Sequence, residues 1–390
     1  MNVPLRVLAV DDSVVFRKVV SDVVASDPDL QLVGTASNGR ICMQKIQQLN
    51  PDVITLDLEM PEMDGFAVLR EMKKTHPHIK AIVFSIHSER GADRTFEAMK
   101  LGASDFLSKD INLGSREDNF QYFLQELLPR IKQFCKPELT NEGLKPWTRD
   151  SKLFPMYVDK NSPKSERKVS PPPVQREAPK SLLIAPAPSR TGNATRSIIA
   201  VGVSTGGPNA LAAFLPMLSA SLPVPIVIVQ HMPAMFTRLL AERLNASCKI
   251  NVKEAVAGEE LKDGTAYIAP GDYHLVLKRL GTKVITQLNQ DPQENSCRPA
   301  VDVLFRSVAD IYGEATIAVI LTGMGKDGFE GIRLLKNLGA HVVAQDKETS
   351  VVWGMPGFVV EAGLANSVVP IQHVAIEVER CLISSKKHPA

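Results

Sequence analysis

Short apolar runs alternate with amphipathic stretches over the first 135 residues of the chain. Residues 6–10 predict a first strand, and valines spaced three to five positions apart predict a helix that begins near Ser13. Ser115 opens a capping-box pattern, which predicts a last helix that ends near Phe134. Four further apolar runs predict strands at residues 30–35, 53–57, 80–86 and 104–107. Five strands alternating with helices predict a parallel sheet covered on both faces.

The amino-acid composition of the chain changes between residues 136 and 195. This segment contains ten prolines, many serines and lysines, and no apolar periodicity. Such a composition is typical of a solvated linker, and the run Pro171-Pro172-Pro173 is expected to be stiff and extended. A docking motif inside the linker remains an alternative.

Strand–helix alternation resumes at Ser197 and predicts a second domain over residues 196–385. Its apolar runs are mostly β-branched and do not alternate with polar residues, which favours a buried parallel sheet. The runs predict strands at residues 197–203, 225–229, 266–268, 275–278, 316–321 and 341–344. We therefore predict two doubly wound α/β domains, one flavodoxin-like and one Rossmann-like, joined by the proline-rich linker.

Composition limits the cellular compartments and the classes of binding partner that fit this chain. A net charge of +2 gives no general reason to expect binding to nucleic acid or to an anionic membrane. The five cysteines are scattered without a C-x-x-C pair, which indicates neither a disulfide framework nor a zinc site. Apolar runs stay far below the roughly 18 residues of a membrane span, and the first one leads directly into Asp11-Asp12, unlike a signal peptide. A cytoplasmic protein without membrane insertion is expected.

Three carboxylates follow strands of the first predicted sheet. Asp11 and Asp12 end the first strand, and Asp57 ends the third. A single acid in such a place often caps the next helix. Three acids that converge at neighbouring strand ends would repel one another unless a hard cation lies between them, and Mg²⁺ prefers such oxygen ligands. Lys109 and the Ser85 hydroxyl, near other strand ends, are suited to neutralise a phosphoryl group on Asp57.

The first 135 residues resemble a two-component response-regulator receiver. The resemblance rests on the acidic pair, on residues 56–65 around Asp57, on Ser85 and on residues 106–109. It implies that Asp57 accepts phosphate with the help of Mg²⁺, and that the backbone carbonyl of Glu59 helps to hold the metal with the three aspartates. It also implies that Ser85 and Phe106 are the switch residues and that Lys109 contacts the phosphoryl group. Serine and phenylalanine replace the commoner threonine and tyrosine of the family.

Residues 201–208 follow an apolar strand and open a helix. They contain a G-x-S-x-G pattern around Ser204, which is typical of a nucleophile on a tight strand-to-helix turn. The competing interpretation is a glycine-rich phosphate or dinucleotide loop. A dinucleotide site expects an acidic residue after the second strand, whereas Gln230-His231-Met232 stands there.

His231 and Asp327 are the candidate partners of Ser204. A histidine beside the serine can act as general base, and a carboxylate is needed to orient it. Asp327 follows another apolar strand, so all three side chains are expected at one edge of the sheet. The chain order Ser, His, Asp differs from that of α/β-hydrolases.

Two more residues are candidates for oxyanion or substrate contacts. They are Thr205, next to the nucleophile, and Met324, whose flanking glycines either present its backbone N–H to an oxyanion or form a turn. His274 and Trp353 are interpreted as structural residues.

Residues 196–385 resemble the catalytic domain of the CheB family of chemotaxis protein-glutamate methylesterases. Besides the segments around Ser204, His231 and Asp327, residues 267–271, 298–302 and 354–356 match the family, while Ala300 and Gly357-Phe358 depart from it at positions that concern substrate fit. The resemblance implies hydrolysis of glutamate methyl esters on methyl-accepting chemotaxis receptors, with release of methanol, and deamidation of particular glutamines. It implies a CheA-type histidine kinase as phosphodonor and no cofactor for the esterase reaction.

The two predicted domains suggest a regulated enzyme. Our hypothesis is that the unmodified receiver packs over the Ser204 crevice and that phosphorylation of Asp57 loosens this packing. Three alternatives stay open from the sequence. They are a catalytically inactive scaffold, a phosphate sink that uses only Asp57, and a nucleotide-binding regulator.

Overall fold

The computed structural model describes residues 3–85, 88–109, 116–134 and 197–386. These residues form two α/β domains, each built on its own parallel sheet. The predicted linker over residues 136–195 and the predicted capping residue Ser115 lie outside the described residues. The domain boundaries at 135, 196 and 385 therefore stay predictions.

The first domain alternates strands and helices as its hydrophobic pattern predicted. Its sheet has the order β2-β1-β3-β4-β5 with all neighbours parallel, which is the flavodoxin-like order. Ser13 caps the first helix by accepting a hydrogen bond from the N–H of Phe16. The elements are β1 (Leu5–Val10), α1 (Val14–Ala25), β2 (Leu30–Ala36), α2 (Gly39–Leu49), β3 (Val53–Asp57), α3 (Gly65–Thr75), β4 (Lys80–Ser85), α4 (Glu89–Leu101), β5 (Asp105–Ser108) and α5 (Arg116–Lys132).

The second domain begins at β6 and contains a larger parallel sheet. Its elements are β6 (Ile198–Val203), α6 (Gly207–Phe214), β7 (Ile226–Gln230), α7 (Ala234–Ser247), β8 (Asn251–Glu254), β9 (Thr265–Ile268), β10 (His274–Leu280), β11 (Lys283–Asn289), α8 (Val301–Tyr312), β12 (Thr316–Ile320), α9 (Phe329–Asn337), β13 (His341–Gln345), α10 (Met355–Glu361), β14 (Ser367–Val369) and α11 (Val374–Lys386). Short 3₁₀ helices occupy Leu215–Met217, Gly313–Ala315 and Ile371–His373.

The strand order of the second sheet changes direction beside β6, which leaves a crevice at the carboxyl edge of the sheet. Its order is β14-β13-β12-β6-β7-β9-β8, and every neighbouring pair is parallel. From β6 the chain moves outward in one direction to β7 and later returns to the other side of β6 as β12. Residues that follow β6, β7 and β12 therefore meet at the carboxyl edge of the sheet, where open α/β sheets bind their ligands.

One predicted strand belongs to a different sheet from the one expected. The run at residues 275–278 lies in β10, which pairs antiparallel with β11 in a separate two-stranded sheet, so its assignment to the parallel sheet is wrong. The first residues of β10 are mostly buried and its last three are exposed. This burial pattern suits a hairpin strand better than a strand buried inside a parallel sheet. Three strands were missed by the sequence pattern, namely β8, β11 and β14, because each is short or half-exposed.

The domains contact each other through α4, which packs on α6 and α7 of the second domain, and through Asp105 and Phe106 of β5. The ring of Phe106 stacks on that of Phe236, with centroids 4.6 Å apart. At the margin, Arg243 binds Asp93 with an N–O distance of 2.8 Å, and the Asn209 side-chain amide donates to the carbonyl of Met99 at 2.9 Å. The contact thus has an aromatic centre and a polar edge.

No helix within the described ranges is long and apolar enough to cross a membrane.

The core of the second domain predicts a clear contrast between two substitutions. Phe305 on α8 is fully buried, whereas Ile376 on α11 is 61% exposed. We expect Phe305→Ala to lower the free energy of unfolding by about 3–5 kcal/mol because it leaves a cavity. Ile376→Ala should change it by less than about 0.5 kcal/mol. Calorimetric unfolding of the full chain measures both, and similar losses for the two variants would contradict this assignment of the core.

Candidate active site and phosphorylation site

Ser204 occupies a tight turn between β6 and α6. Its backbone N–H donates to the carbonyl of Thr322 at 3.0 Å, and its own carbonyl accepts from Gly207 at 2.8 Å. Gly206 has a φ of +78°, a conformation that glycine adopts at low cost. The Gln230 side-chain amide also donates to the Ser204 carbonyl, at 3.0 Å. These bonds hold the serine at the end of the strand with its side chain directed to the crevice.

A close approach of two loops requires glycine at position 323. A Cβ atom there would lie 2.8 Å from Cβ of Ser204 and 2.3 Å from the sulfur of Met355. Any side chain would therefore displace either the serine or the core beneath it. Steric contact therefore requires glycine at position 323, next to Met324, and the sequence alone did not reveal this requirement.

The structure brings Ser204, His231 and Asp327 together. Oγ of Ser204 lies 3.0 Å from Nδ1 of His231, and Nε2 of His231 lies 2.8 Å from Oδ2 of Asp327. Ser204 and His231 directly follow β6 and β7, and Asp327 lies in the loop after β12. They form a continuous hydrogen-bonded chain from hydroxyl through imidazole to carboxylate.

Asp327 is held by the first turn of α8. Its carboxylate accepts backbone N–H bonds from Val301 at 2.7 Å and from Asp302 at 3.0 Å. Burial would raise the pKa of Asp327, but the bond and charge of His231 together with these backbone donors hold that pKa below its usual value. The carboxylate therefore stays ionised against the imidazole, and the helix N-terminus favours its negative charge.

Cys297 is a residue of this site that sequence reasoning missed. Burial alone would lower the pKa of His231, but the adjacent Cys297 side chain and the Asp327 carboxylate raise it to about 10. The carboxylate of Asp327 thus stabilises positive charge on the ring, which a general base needs as it takes up a proton. The scattered spacing of the cysteines gave no signal, because the contact depends on the loop that precedes α8.

Thr205 and Met324 lie at the site in different surroundings. The Thr205 hydroxyl donates to Oδ2 of Asp105 in the first domain, at 3.4 Å, and the residue is almost buried. Met324 is 36% exposed at the rim of the crevice. Within the described part of the chain, its backbone N–H has no hydrogen-bond acceptor. This geometry suits an N–H that is open to a substrate oxygen.

The three aspartates of the first domain converge as predicted. Carboxylate oxygens of Asp11, Asp12 and Asp57 lie within 4.8 Å of one another. Nζ of Lys109 binds Asp57 at 2.8 Å and Asp11 at 2.9 Å. Burial raises the pKa of Asp11, and the charge of Asp57 adds to this effect while Lys109 opposes it. A set of hard oxygen ligands with excess negative charge fits Mg²⁺.

The remaining predicted receiver residues surround this cluster. Glu59 and Ser85 line the same cleft. The Glu59 carboxylate binds Arg94 at 2.9 Å, and the Ser85 hydroxyl bonds to Thr95 and to the carbonyl of Gly91 on α4. Phe106 does not face the cluster but stacks on Phe236 of the second domain. Of the two predicted switch residues, Ser85 thus lies at the acidic cleft and Phe106 at the domain contact.

His274 is the first residue of β10 and is buried against the loop before α8. Its Nδ1 accepts from the N–H of Ala300 at 3.2 Å, and its Nε2 lies 3.2 Å from the carbonyl of Pro292. These contacts fit the structural role predicted for it.

Comparison with known families adds an independent result. Residues 199–378 match the CheB methylesterase family, and residues 7–117 match the response regulator receiver domain family. The two matches cover the two described domains in the order seen here.

Known proteins are similar over nearly the whole chain. A protein-glutamate methylesterase/protein-glutamine glutaminase of Trichodesmium erythraeum is 43% identical over 96% of this chain and 98% of its own. A protein of the same description from a Nocardioides species is 44% identical over 97% of this chain and 95% of its own. Among solved structures, the CheB methylesterase catalytic domain of Thermotoga maritima is 47% identical, with a TM-score of 0.47, and covers 49% of this chain and 100% of its own.

The raised pKa of His231 predicts its titration. We expect its ring signals, followed by NMR, to titrate with a midpoint above the ordinary 6.5. Asp327→Asn removes a charge that stabilises the imidazolium, so the midpoint should fall in that variant. A midpoint below 6.5 in the unaltered protein, or no change in the variant, would contradict the described contact.

Proposed function

The chain belongs to the family of protein-glutamate methylesterases/protein-glutamine glutaminases with a receiver domain, and we propose that it works as a serine hydrolase. Its function is the phosphorylation-regulated demethylation of chemotaxis receptors. The observation that carries the proposed mechanism is the chain of two hydrogen bonds that joins Ser204, His231 and Asp327.

In the proposed reaction, Oγ of Ser204 attacks the carbonyl carbon of a glutamate methyl ester. His231 in its neutral form takes the serine proton on Nδ1, the nitrogen that faces the hydroxyl. Asp327 fixes the ring through Nε2 and stabilises the positive charge that develops on it. The imidazolium then protonates the departing methoxide, and methanol leaves.

Water completes the cycle by the same route in reverse. His231 deprotonates a water molecule, which attacks the acyl-enzyme and returns the receptor carboxylate and the serine. The Met324 N–H, and the Thr205 hydroxyl once it is released, are the proposed partners of the substrate oxygen in both tetrahedral intermediates. A glutamine side chain follows the same path with ammonia as leaving group. No cofactor takes part in the proposed esterase reaction.

The receiver uses Mg²⁺ for its phosphorylation, and we propose Asp11, Asp12, Asp57 and the Glu59 carbonyl as its ligands. Bound Mg²⁺ would offset charge on the phosphoryl oxygens. Asp57 accepts the phosphoryl group in this proposal, and Lys109 exchanges its contact with the free carboxylate for one with the phosphoryl group. A CheA-type histidine kinase is the proposed donor, and methyl-accepting receptors are the proposed substrates.

The receiver inhibits the second domain in this proposal. Two contacts support it: Asp105 engages the hydroxyl of Thr205, the neighbour of the nucleophile, and Phe106 stacks on Phe236. Phosphorylation of Asp57 would draw Ser85 toward the phosphoryl group and reorganise α4 and β5, which carry the contact. A shift from about 1% to 99% open requires about 5.5 kcal/mol of differential stabilisation, and a smaller shift gives graded activation.

Ser204→Ala should abolish methanol release from methylated receptor, because no other proposed group forms the acyl-enzyme. We expect a loss of at least about 10³-fold in kcat, as in other serine hydrolases. Autophosphorylation of Asp57 with a small phosphodonor should be unchanged in this variant, which controls for folding. A variant that releases methanol at the normal rate would refute the nucleophile and favour a different reaction mechanism.

A charge swap at the domain contact tests inhibition by the receiver. Arg243→Asp places a second negative charge beside Asp93 and removes the guanidinium that lies 5.0 Å above the ring of Phe96. We expect methanol release by the unphosphorylated protein to rise about two- to fivefold, since exposed ion pairs contribute up to about 1 kcal/mol.

Adding Asp93→Arg to the Arg243→Asp variant should return the activity toward its starting value. Arg333→Asp is the matched control, because Arg333 pairs with Glu330 on α9 outside the domain contact. If the basal rate is the same in all of these variants, the described contact does not inhibit the enzyme.

A further inference from the structure

Asn295 lies in the loop between β11 and α8 and contacts two buried carboxylates. Its side-chain amide nitrogen donates to Oδ1 of Asp327 at 2.9 Å and to Oδ2 of Asp302 at 3.1 Å. Asp302 and Asp327 are 2% and 3% exposed, while Asn295 itself is exposed at the edge of the site. One amide group thus bridges two acids that water hardly reaches.

The two carboxylates repel each other if both are ionised. Burial raises the pKa of Asp302 to about 6, and the charge of Asp327 contributes to this. A protonated Asp302 would present an O–H to the Asp327 carboxylate in competition with the imidazole of His231. The amide of Asn295 supplies donors to both acids, so both act as acceptors and Oδ2 of Asp327 stays directed at His231.

The backbone at this position favours asparagine. Asn295 has a φ of 52° and Ser296 a φ of 62°, so two consecutive residues adopt the left-handed conformation. Asparagine tolerates this conformation better than most residues, and its short amide reaches a polar group close to its own backbone. Glycine would tolerate it as well but offers no donor, so the backbone alone does not account for the contacts.

From these contacts we propose that Asn295 is a positioning residue of the esterase: its amide separates the Asp302 and Asp327 carboxylates and keeps Asp327 aligned with His231. The inference rests on the proposed triad and extends it by one residue. Other titratable groups near the pair are His231, Cys297, His274 on β10, and Glu294, which binds Arg306 of α8 at 2.6 Å. Arg306 neutralises Glu294 and adds positive charge near both acids, and among the described residues the Asn295 side chain is the one that hydrogen-bonds to both carboxylates.

The test compares Asn295→Gly, Asn295→Asp and the control Ser296→Gly in the full chain. Ser296 shares the left-handed backbone and the exposed loop but makes no hydrogen bond to Asp327 among the described residues. Methanol release from methylated receptor is measured with Mg²⁺ and a small-molecule phosphodonor, as kcat and KM over a range of pH. Thermal unfolding checks that each variant is folded.

We expect Asn295→Gly to lower kcat about tenfold or more with KM changed by less than about twofold, because a hydrogen bond to a charged group is lost inside the site. Ser296→Gly should keep the normal kcat. Asn295→Asp keeps the shape and backbone preference but adds a carboxylate near the imidazolium. The rising limb of kcat/KM should therefore move to higher pH in that variant, which a purely structural role would not cause.

The inference is overturned if Asn295→Gly matches Ser296→Gly in kcat, if only KM changes, or if Asn295→Asp leaves the pH limb in place. If the glycine variant does not fold, the pH dependence of kcat/KM in Asn295→Asp still tests the inference. Ser204→Ala in the same assay separates the two hypotheses. Its inactivity beside normal Asn295 variants rejects the role of Asn295 alone, whereas its full activity rejects the triad and this inference with it.

Discussion

The carboxylate of Asp327 is the group on which the arrangement of the site depends. It receives backbone N–H groups from the start of α8 and an amide from Asn295, and it binds the imidazole that faces Ser204. A buried charge is tolerated only where such donors satisfy it. The loop before α8, the helix itself and the loop after β12 therefore have to meet for the histidine to be oriented. The stability of this region and the proposed chemistry share the same hydrogen bonds.

Both domains use the carboxyl edge of a parallel sheet, but for different chemistry. In the first, three aspartates and Lys109 form a cluster suited to a metal ion and a phosphoryl group. In the second, a neutral hydroxyl and an imidazole meet one carboxylate. The contact between the domains uses Asp105 and Phe106 at the start of β5, and Lys109 follows the end of the same strand. Lys109, which binds Asp57, is therefore separated by the length of β5 from Asp105, which contacts Thr205 beside Ser204.

The sequence predicted what depends on local pattern and on the rule for parallel sheets. Buried β-branched runs identified the central strands, and residues directly after them, such as Ser204 and His231, were expected at one edge. The edge strands β8 and β14 escaped because they have three or four residues and partly exposed side chains. The strand at residues 275–278 was misassigned because a half-buried hairpin strand and a short parallel strand share similar composition.

The supporting contacts of the site were beyond sequence reasoning for a different reason. Asn295 and Cys297 belong to an exposed loop whose left-handed residues carry no hydrophobic periodicity. Asp105 precedes a predicted switch residue, yet its contact with Thr205 exists only when two domains dock. Such contacts between residues 100 apart, or across a loop, follow from tertiary structure and not from spacing.

Labelling of the full chain by a serine-directed fluorophosphonate tests the central claim most directly. The modified residue is identified by peptide mass spectrometry, and the rate is compared with and without Mg²⁺ and a small-molecule phosphodonor. The account predicts a single label on Ser204 that forms faster when Asp57 is phosphorylated, since in the proposed mechanism His231 activates the nucleophile and the receiver contact at the neighbouring Thr205 hinders access to it. Absence of label on Ser204, or the same labelling rate in both states, would contradict it.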